Sequence, residues 1–248
     1  MYIGYVAVLS FGRLRLRCAA MLESDAVGAS PAAVLQQRQS LRGGLVSATP
    51  GDVSWRVPVL DVVGEWSGGT GTAPVVVAET EAGAIEWQCL SLDAAASVTC
   101  DGRRYAGPGY AEVVRLSLPP WRLPLSDLRW GRFVADDRSA ALTWIAAGGA
   151  STFEGAWTPD GRLDARVGEA SVEACGPDGD VRLTWDTGRP IRGERVSRSL
   201  LGRLAVFERL LPRGVRGIAE EKRLSRGVLV DAAGCHGGWV VHERVRWT

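Results

Sequence analysis

From Val53 onward the chain is a succession of short segments that alternate apolar and polar residues, the two-residue repeat of a strand rather than the 3.6-residue repeat of a helix. The segments are 57–63, 74–79, 85–92, 97–100, 110–118, 128–134, 140–146, 151–157, 170–174 and 181–186. Between them stand Ser67-Gly68-Gly69, Asp101-Gly102, Pro159-Asp160-Gly161 and Pro177-Asp178-Gly179, dipeptides and tripeptides that favour tight hairpins. Strands joined in this way are antiparallel neighbours, and so many of them must close or stack to hide their edges. The fold class expected is mainly β, with antiparallel barrels or two β lobes.

Around this series the order changes. Residues 2–18 read as one or two strands, with Arg13, Arg15 and Arg17 alternating against Leu14 and Leu16. Residues 23–52 mix Ser, Gly, Gln and Ala; within this loosely held connector, Ser30 as cap and Pro31 at the first helical position predict a short helix over 31–39. A clearer amphipathic helix is predicted at 197–212, where Leu200, Leu201, Leu204, Phe207, Leu210 and Leu211 recur at three- and four-residue intervals before Pro212 and Gly214. Residues 238–247 alternate again and close the chain as a strand. Pro119, Pro120 and Pro124 cannot donate to a ladder, so the segment holding them is a connector between lobes. The division expected is 1–52 as N-terminal strand and connector, 53–125 as the first lobe and 126–248 as the second.

Charge and special residues exclude several function classes. With 29 basic against 28 acidic side chains the net charge is +1, which gives no field to attract nucleic acid. Five cysteines, an odd number without a C-x-x-C pair, read as small core residues in a reducing compartment. Two histidines weigh against a three-histidine metal site and against a Ser-His-Asp triad. The glycines at 68–71 and 148–149 follow no strand-to-helix context, so no phosphate loop is read and no cofactor or metal is expected. No run approaches the ~20 apolar residues of a transmembrane helix and no cleavage pattern follows the first strand; a cytoplasmic location is expected, with transient membrane contact left open. The oligomeric state is not legible.

The residues that could carry chemistry lie in the strands. Ten tryptophans stand against four phenylalanines; Trp87, Trp130 and Trp144 either fill a wide barrel or wall a pocket for a flat, hydrophobic ligand. Glu112 shares a strand face with Tyr110, Val114 and Leu116, which predicts an inward carboxyl. Such a group either meets Arg129, Arg132 or Arg244, or stays protonated and serves as a general acid. Glu243, between Val241 and Val245, follows the same logic, or it faces an arginine on a neighbouring strand and only fixes register. His242 then falls on the other face, toward solvent, and His236 in a glycine-rich loop. Trp130 and Arg132 share one face of their strand; Arg129 and Gly131 share the other, and Gly131 marks a close approach by another segment.

The order Gly107-x-Gly109-Tyr110-x-Glu112, then Leu128-Arg129-Trp130-Gly131-Arg132-Phe133, then Leu142-Thr143-Trp144, resembles the lipocalin-like proteins related to carotenoid 1,2-hydratase. The closing segments Lys222-x-Leu224-Ser225-Arg226 and Trp239-Val240-Val241-His242-Glu243 resemble the end of such a chain. The resemblance implies two lipocalin-like lobes that bind an isoprenoid or polyene and hydrate or cyclise it without a cofactor, with Glu112 as the acid. Two other readings stay open: a β-rich scaffold whose Trp and Arg residues are packing devices, and a carbohydrate-binding sandwich with exposed indoles.

Overall fold

The computed structural model describes residues 2–11, 14–27, 30–40, 45–49, 51–119, 122–123, 125–149, 152–195 and 216–247. In chain order the strands are β1 (Tyr2–Phe11), β2 (Leu14–Val27), β3 (Ser30–Ser40), β4 (Leu45–Thr49), β5 (Asp52–Val57), β6 (Val62–Ser67), β7 (Val75–Thr80), β8 (Gly83–Cys100) and β9 (Arg103–Leu116). They continue as β10 (Leu125–Ala135), β11 (Ala141–Gly149), β12 (Phe153–Thr158), β13 (Gly161–Val167), β14 (Ser171–Gly176), β15 (Gly179–Trp185), β16 (Arg189–Arg195), β17 (Ile218–Asp231) and β18 (Gly234–Trp247). The chain forms two compact units, Met1–Ala73 with Gln88–Val113, and Pro74–Trp87 with Val114–Thr248.

In the first unit β1, β2 and β3 make one sheet, and β4-β5-β6-β8 run in order through a second, with β9 on β8. Val53, Trp55 and Val57 alternate inward along β5. Trp55 and Val57 join Leu60, Val62, Val98 and Cys100 in a core against which Trp66 packs. The β8–β9 hairpin turns at Asp101 and Gly102, with φ of 48° and 72°, the two positive values a type I′ turn requires.

The second unit is built on a barrel. Strands β10 to β15 follow one another as antiparallel neighbours, β10 pairs with β18, β18 with β17, and the last four residues of β15 pair with β17, closing eight strands. The other half of β17 pairs with β16. Closure removes the barrel's free edges. Phe133, Leu142, Leu183, Leu229 and Val240 face the lumen at 0–2% exposure, each burial contributing about 1.5–3 kcal/mol. Gly131 and Trp144 are directly opposed on β10 and β11, and a Cβ at 131 would strike the Trp144 indole; the missing side chain makes room for the ring, the close approach that the mid-strand glycine predicts.

Three expectations need correction. Residues 31–39 belong to strand β3, not to a helix, and most of 23–52 lies in strands β2 to β5. Pro31 lies opposite Ala26, where the β2–β3 register shifts, and a proline without a ladder donor fits the start of a strand as well as that of a helix. Of the cysteines, Cys89 and Cys100 are buried but Cys175 and Cys235 are exposed at hairpin ends, and Asp180, by hydrogen bonding, pushes the Cys175 thiol up. The helix expected at 197–212 lies outside the described residues.

Candidate functional site

Strand register decides which side chains enter the lumen. Along β18 the inward set is Val240, His242 and Arg244, so Trp239, Val241 and Glu243 face outward. This reverses the expected faces of that strand. Alternation could not settle the choice because both faces of this sheet region are covered: Lys222, Leu224 and Ile218 on β17 are only 2–3% exposed, as Ser225 is at 1%.

Above the apolar floor of the lumen, the Trp144 indole stacks on Trp185 at 5.0 Å between centroids and 26° between planes. Trp185 in turn meets the His242 imidazole at 5.5 Å and 48°. Ser225 on β17 fixes that ring, with Oγ 2.9 Å from Nε2. The Ser225 hydroxyl is itself covered, since a Cβ at Gly188 would collide with it; it is an orienting group and not a nucleophile. Burial among the indoles lowers the His242 pKa from 6.5 to about 4, helped by the Arg223 guanidinium and opposed by Glu221 and Asp186. At neutral pH this imidazole is uncharged and can take up a proton.

Beyond His242, at the same end of the barrel, the inward side chains are ionic. Asp127 accepts from Arg129 Nε at 2.9 Å and from Arg244 Nε at 2.7 Å. Arg244 also donates to both oxygens of Glu169 at 2.8 and 3.0 Å, while Arg129 Nη1 donates to the Val167 and Gly168 carbonyls. Arg223 pairs with Glu221 at 2.6 Å and donates to the Thr187 carbonyl at 2.8 Å. These arginines tie the strands to the β13–β14 and β15–β16 connections. They frame the polar end with three cations against three carboxylates.

The remaining candidates from the sequence lie elsewhere. Trp144 and Arg129 are in the lumen, as described. Trp130, Arg132 and Glu243 are on the outer face of the barrel, where Glu243 accepts from Lys222 Nζ at 2.6 Å and that ammonium lies 5.9 Å from the Trp130 ring centroid. Glu243 therefore opposes Lys222 on the next strand, where the sequence reading had an arginine as its alternative partner. Trp87 packs outside the barrel against Trp157, 4.6 Å away. Glu112, on β9, is exposed rather than inward, and accepts from the Tyr110 hydroxyl at 2.7 Å. His242, Ser225 and Trp185 were missed as site residues, and alternation held no signal for His242, because its face also carries Arg244 and Arg246 whereas the face of Glu243 carries Val241 and Val245.

Among the described residues no group of three or more His, Cys, Asp or Glu side chains is placed to hold a metal ion. No helix among them is long and apolar enough to cross a membrane.

No protein-family model and no characterised protein matches the sequence. In fold the chain is similar to kievitone hydratase from Nectria haematococca, with a TM-score of 0.55 and 9% identity over 100% of this chain and 84% of that one. Weaker likenesses are to a protein assigned as AttH from Nitrosomonas europaea, at a TM-score of 0.49, 12% identity and coverage of 94% and 81%, and to CghA with Sch210972, at 0.47, 11%, 94% and 80%. At these identities the likeness establishes the fold alone. That fold is lipocalin-like: mainly β, antiparallel and closed.

Proposed function

We propose that the polar end of the barrel lumen binds a flat, hydrophobic, conjugated small molecule with an oxygen-bearing end, and that His242 moves a proton in adding water to it or removing water from it. The isoprenoid and polyene class suggested by the sequence is the first to test. The observation that carries the proposal is the His242 imidazole, held neutral inside the lumen, fixed by Ser225 and stacked on Trp185. Trp185, partly exposed and stacked on the buried Trp144, is the ring left to face a conjugated system. A base whose conjugate acid has a pKa of about 4 is almost wholly unprotonated at pH 7, free as an acceptor though weak, and the role assigned to it is to take a proton from water as oxygen adds to a double bond conjugated with a carbonyl. Because Ser225 engages Nε2, Nδ1 is the atom assigned to that transfer. The Arg223 guanidinium, whose charge acts on His242, is the group assigned to polarise the carbonyl. That a protein named a hydratase shares the fold supports the choice of reaction. This reading places the proton transfer on His242 in preference to Glu112 or Glu243.

Quenching of tryptophan fluorescence on titration with carotenoids, polyprenyl compounds and conjugated enones tests the binding. Quenching is expected for at least one of them, weakened in Trp185→Phe. For a ligand that binds, incubation in D₂O followed by mass spectrometry tests the chemistry; deuterium or water enters with the wild type and not with His242→Gln. Absence of quenching by every probe, or equal quenching in Trp185→Phe, sinks the proposal. A second reading, a non-catalytic binding protein on the same lumen, predicts quenching without any mass change.

A further inference from the structure

At the opposite end of the barrel the β10–β11 and β17–β18 hairpins lie side by side, because β10 and β18 are paired. They bring Ser139 to His236, 97 positions later in the chain, and to its neighbour Asp231. Ser139 Oγ is 2.9 Å from His236 Nδ1, and His236 Nε2 is 3.2 Å from Asp231 Oδ1. The two histidines of the chain had argued against a Ser-His-Asp arrangement; one of them is nevertheless placed in this row.

The tautomer follows from the acceptor. A carboxylate can only accept, so the Asp231 contact puts the proton of a neutral His236 ring on Nε2, and Nδ1 presents its lone pair to the Ser139 hydroxyl. Asp231 is itself anchored by the Ala233 and Gly234 N–H groups at 2.8 and 3.1 Å, and the His236 side chain is 14% exposed, so both are held in place. Ser139 by contrast is exposed, on a turn in which Arg138 carries a φ of 63°, a left-handed conformation that a non-glycine residue rarely adopts. Nucleophile, base and orienting acid thus stand in hydrogen-bonded order with the nucleophile toward solvent.

A fourth group sets the resting state. Asp137 Oδ1 accepts from the Ser139 hydroxyl at 2.6 Å and from its backbone N–H at 2.9 Å, and these hydrogen bonds hold the Asp137 carboxyl below the usual range. The single hydroxyl proton therefore has two acceptors, and Asp137 competes with His236 for it.

The geometry points to Ser139 as an acyl-accepting nucleophile with His236 as its general base and Asp231 as the orienting acid, restrained at rest by Asp137. The substrate class is small, activated carboxylic esters, which an exposed serine can meet without an enclosing pocket. In the step, Ser139 Oγ bonds to the ester carbonyl carbon and the ester C–O bond breaks. The hydroxyl proton passes to His236 Nδ1 and from there to the departing alkoxide. Water then attacks the acyl carbon, His236 takes its proton and returns it to Ser139 Oγ as the acyl C–O bond breaks, and the released carboxylic acid ionises in solvent.

The test is reaction of the full chain with a fluorophosphonate and with p-nitrophenyl acetate, with peptide mass spectrometry to locate the adduct. The expected result is an adduct on Ser139, absent in Ser139→Ala, formed at least ~10-fold more slowly in His236→Gln and faster than wild type in Asp137→Ala. Melting curves of the three variants, all at an exposed turn or its neighbour, check that each is folded. No adduct on Ser139, or one formed as fast in folded His236→Gln as in wild type, overturns the assignment. This test is independent of the lumen, and its failure leaves the reading of His242 untouched.

Discussion

Replacing Gly131 with alanine adds one methyl group to a crowded point of the barrel wall. Built on the backbone, that Cβ lies 2.5 Å from Trp144 Cε2 and 2.6 Å from Cη2, with Cζ2 closer still, where ordinary contact begins near 3.4 Å. The ring has little room to yield. Trp144 is 1% exposed, and Trp185 stacks on it at 5.0 Å. Overpacking of a well-filled core costs about 1–3 kcal/mol, which for a chain of this size lowers the melting temperature by roughly 2–4 °C per kcal/mol. Gly131→Ala is thus expected to melt about 2–12 °C below the parent and to alter the near-ultraviolet dichroism of the stacked indoles. Trp144→Leu alone leaves a cavity, with a cost of about 3–5 kcal/mol by analogy with other aromatic truncations. In that background the added methyl group meets no ring, so the double variant is expected to be no less stable than Trp144→Leu. Thermal or urea unfolding of the four proteins forms a double-mutant cycle with a coupling of about 1–3 kcal/mol. Additive losses, or an unaltered melt for Gly131→Ala, would refute the claim that this glycine exists to seat the indole.

Two further outcomes follow from the charges. Since the folded state holds the His242 pKa at about 4 against 6.5 for a free imidazole, the unfolded chain binds the extra proton first as pH falls. Stability is therefore full above pH 6.5, declines between about 6.5 and 4 and levels below; a shift of this size is worth at most about 3.4 kcal/mol, and about 1–2 once the water reaching the polar end is allowed for. Urea unfolding across that range should show the decline in wild type and lose it in His242→Phe, whereas an equal slope in both would rule it out. On the outer face, Lys222→Met should cost about 3–5 kcal/mol by stranding Glu243 without its ammonium, and Lys222→Met with Glu243→Leu should recover most of that; chemical denaturation measures both, and a loss in the double variant as large as in the single one would contradict the pairing.

The strands were legible because alternation and turn chemistry are local. Asp101-Gly102 announced a tight turn, and the mid-strand Gly131 announced a bulge or a close contact, without knowledge of any partner. The assignment of faces was not legible for β18. Both of its faces meet covered surfaces, and a one-residue change of register exchanges Glu243 for His242 in the lumen. The β3 strand was misread as a helix because Ser30 and Pro31 start either element, and only pairing with β2 decides. For β9 the apolar residues sharing a face with Glu112 are themselves exposed: Val114 is 48% and Leu116 41% accessible, so hydrophobic neighbours did not mean an interior. The Ser139–His236–Asp231 row was invisible for a different reason. It is made by two hairpins whose adjacency depends on β18 closing the barrel.

The placement of the His242 imidazole can be read by proton NMR of its ring Cε1–H across pH 3.5 to 8, with His242→Gln to assign the resonance. A neutral imidazole packed on Trp185 inside the lumen predicts a midpoint near 4 and an upfield-shifted signal that does not move between pH 6 and 7.5. A midpoint near the free value of about 6.5 without an aromatic shift would put the ring in solvent and remove the basis of the proposed site.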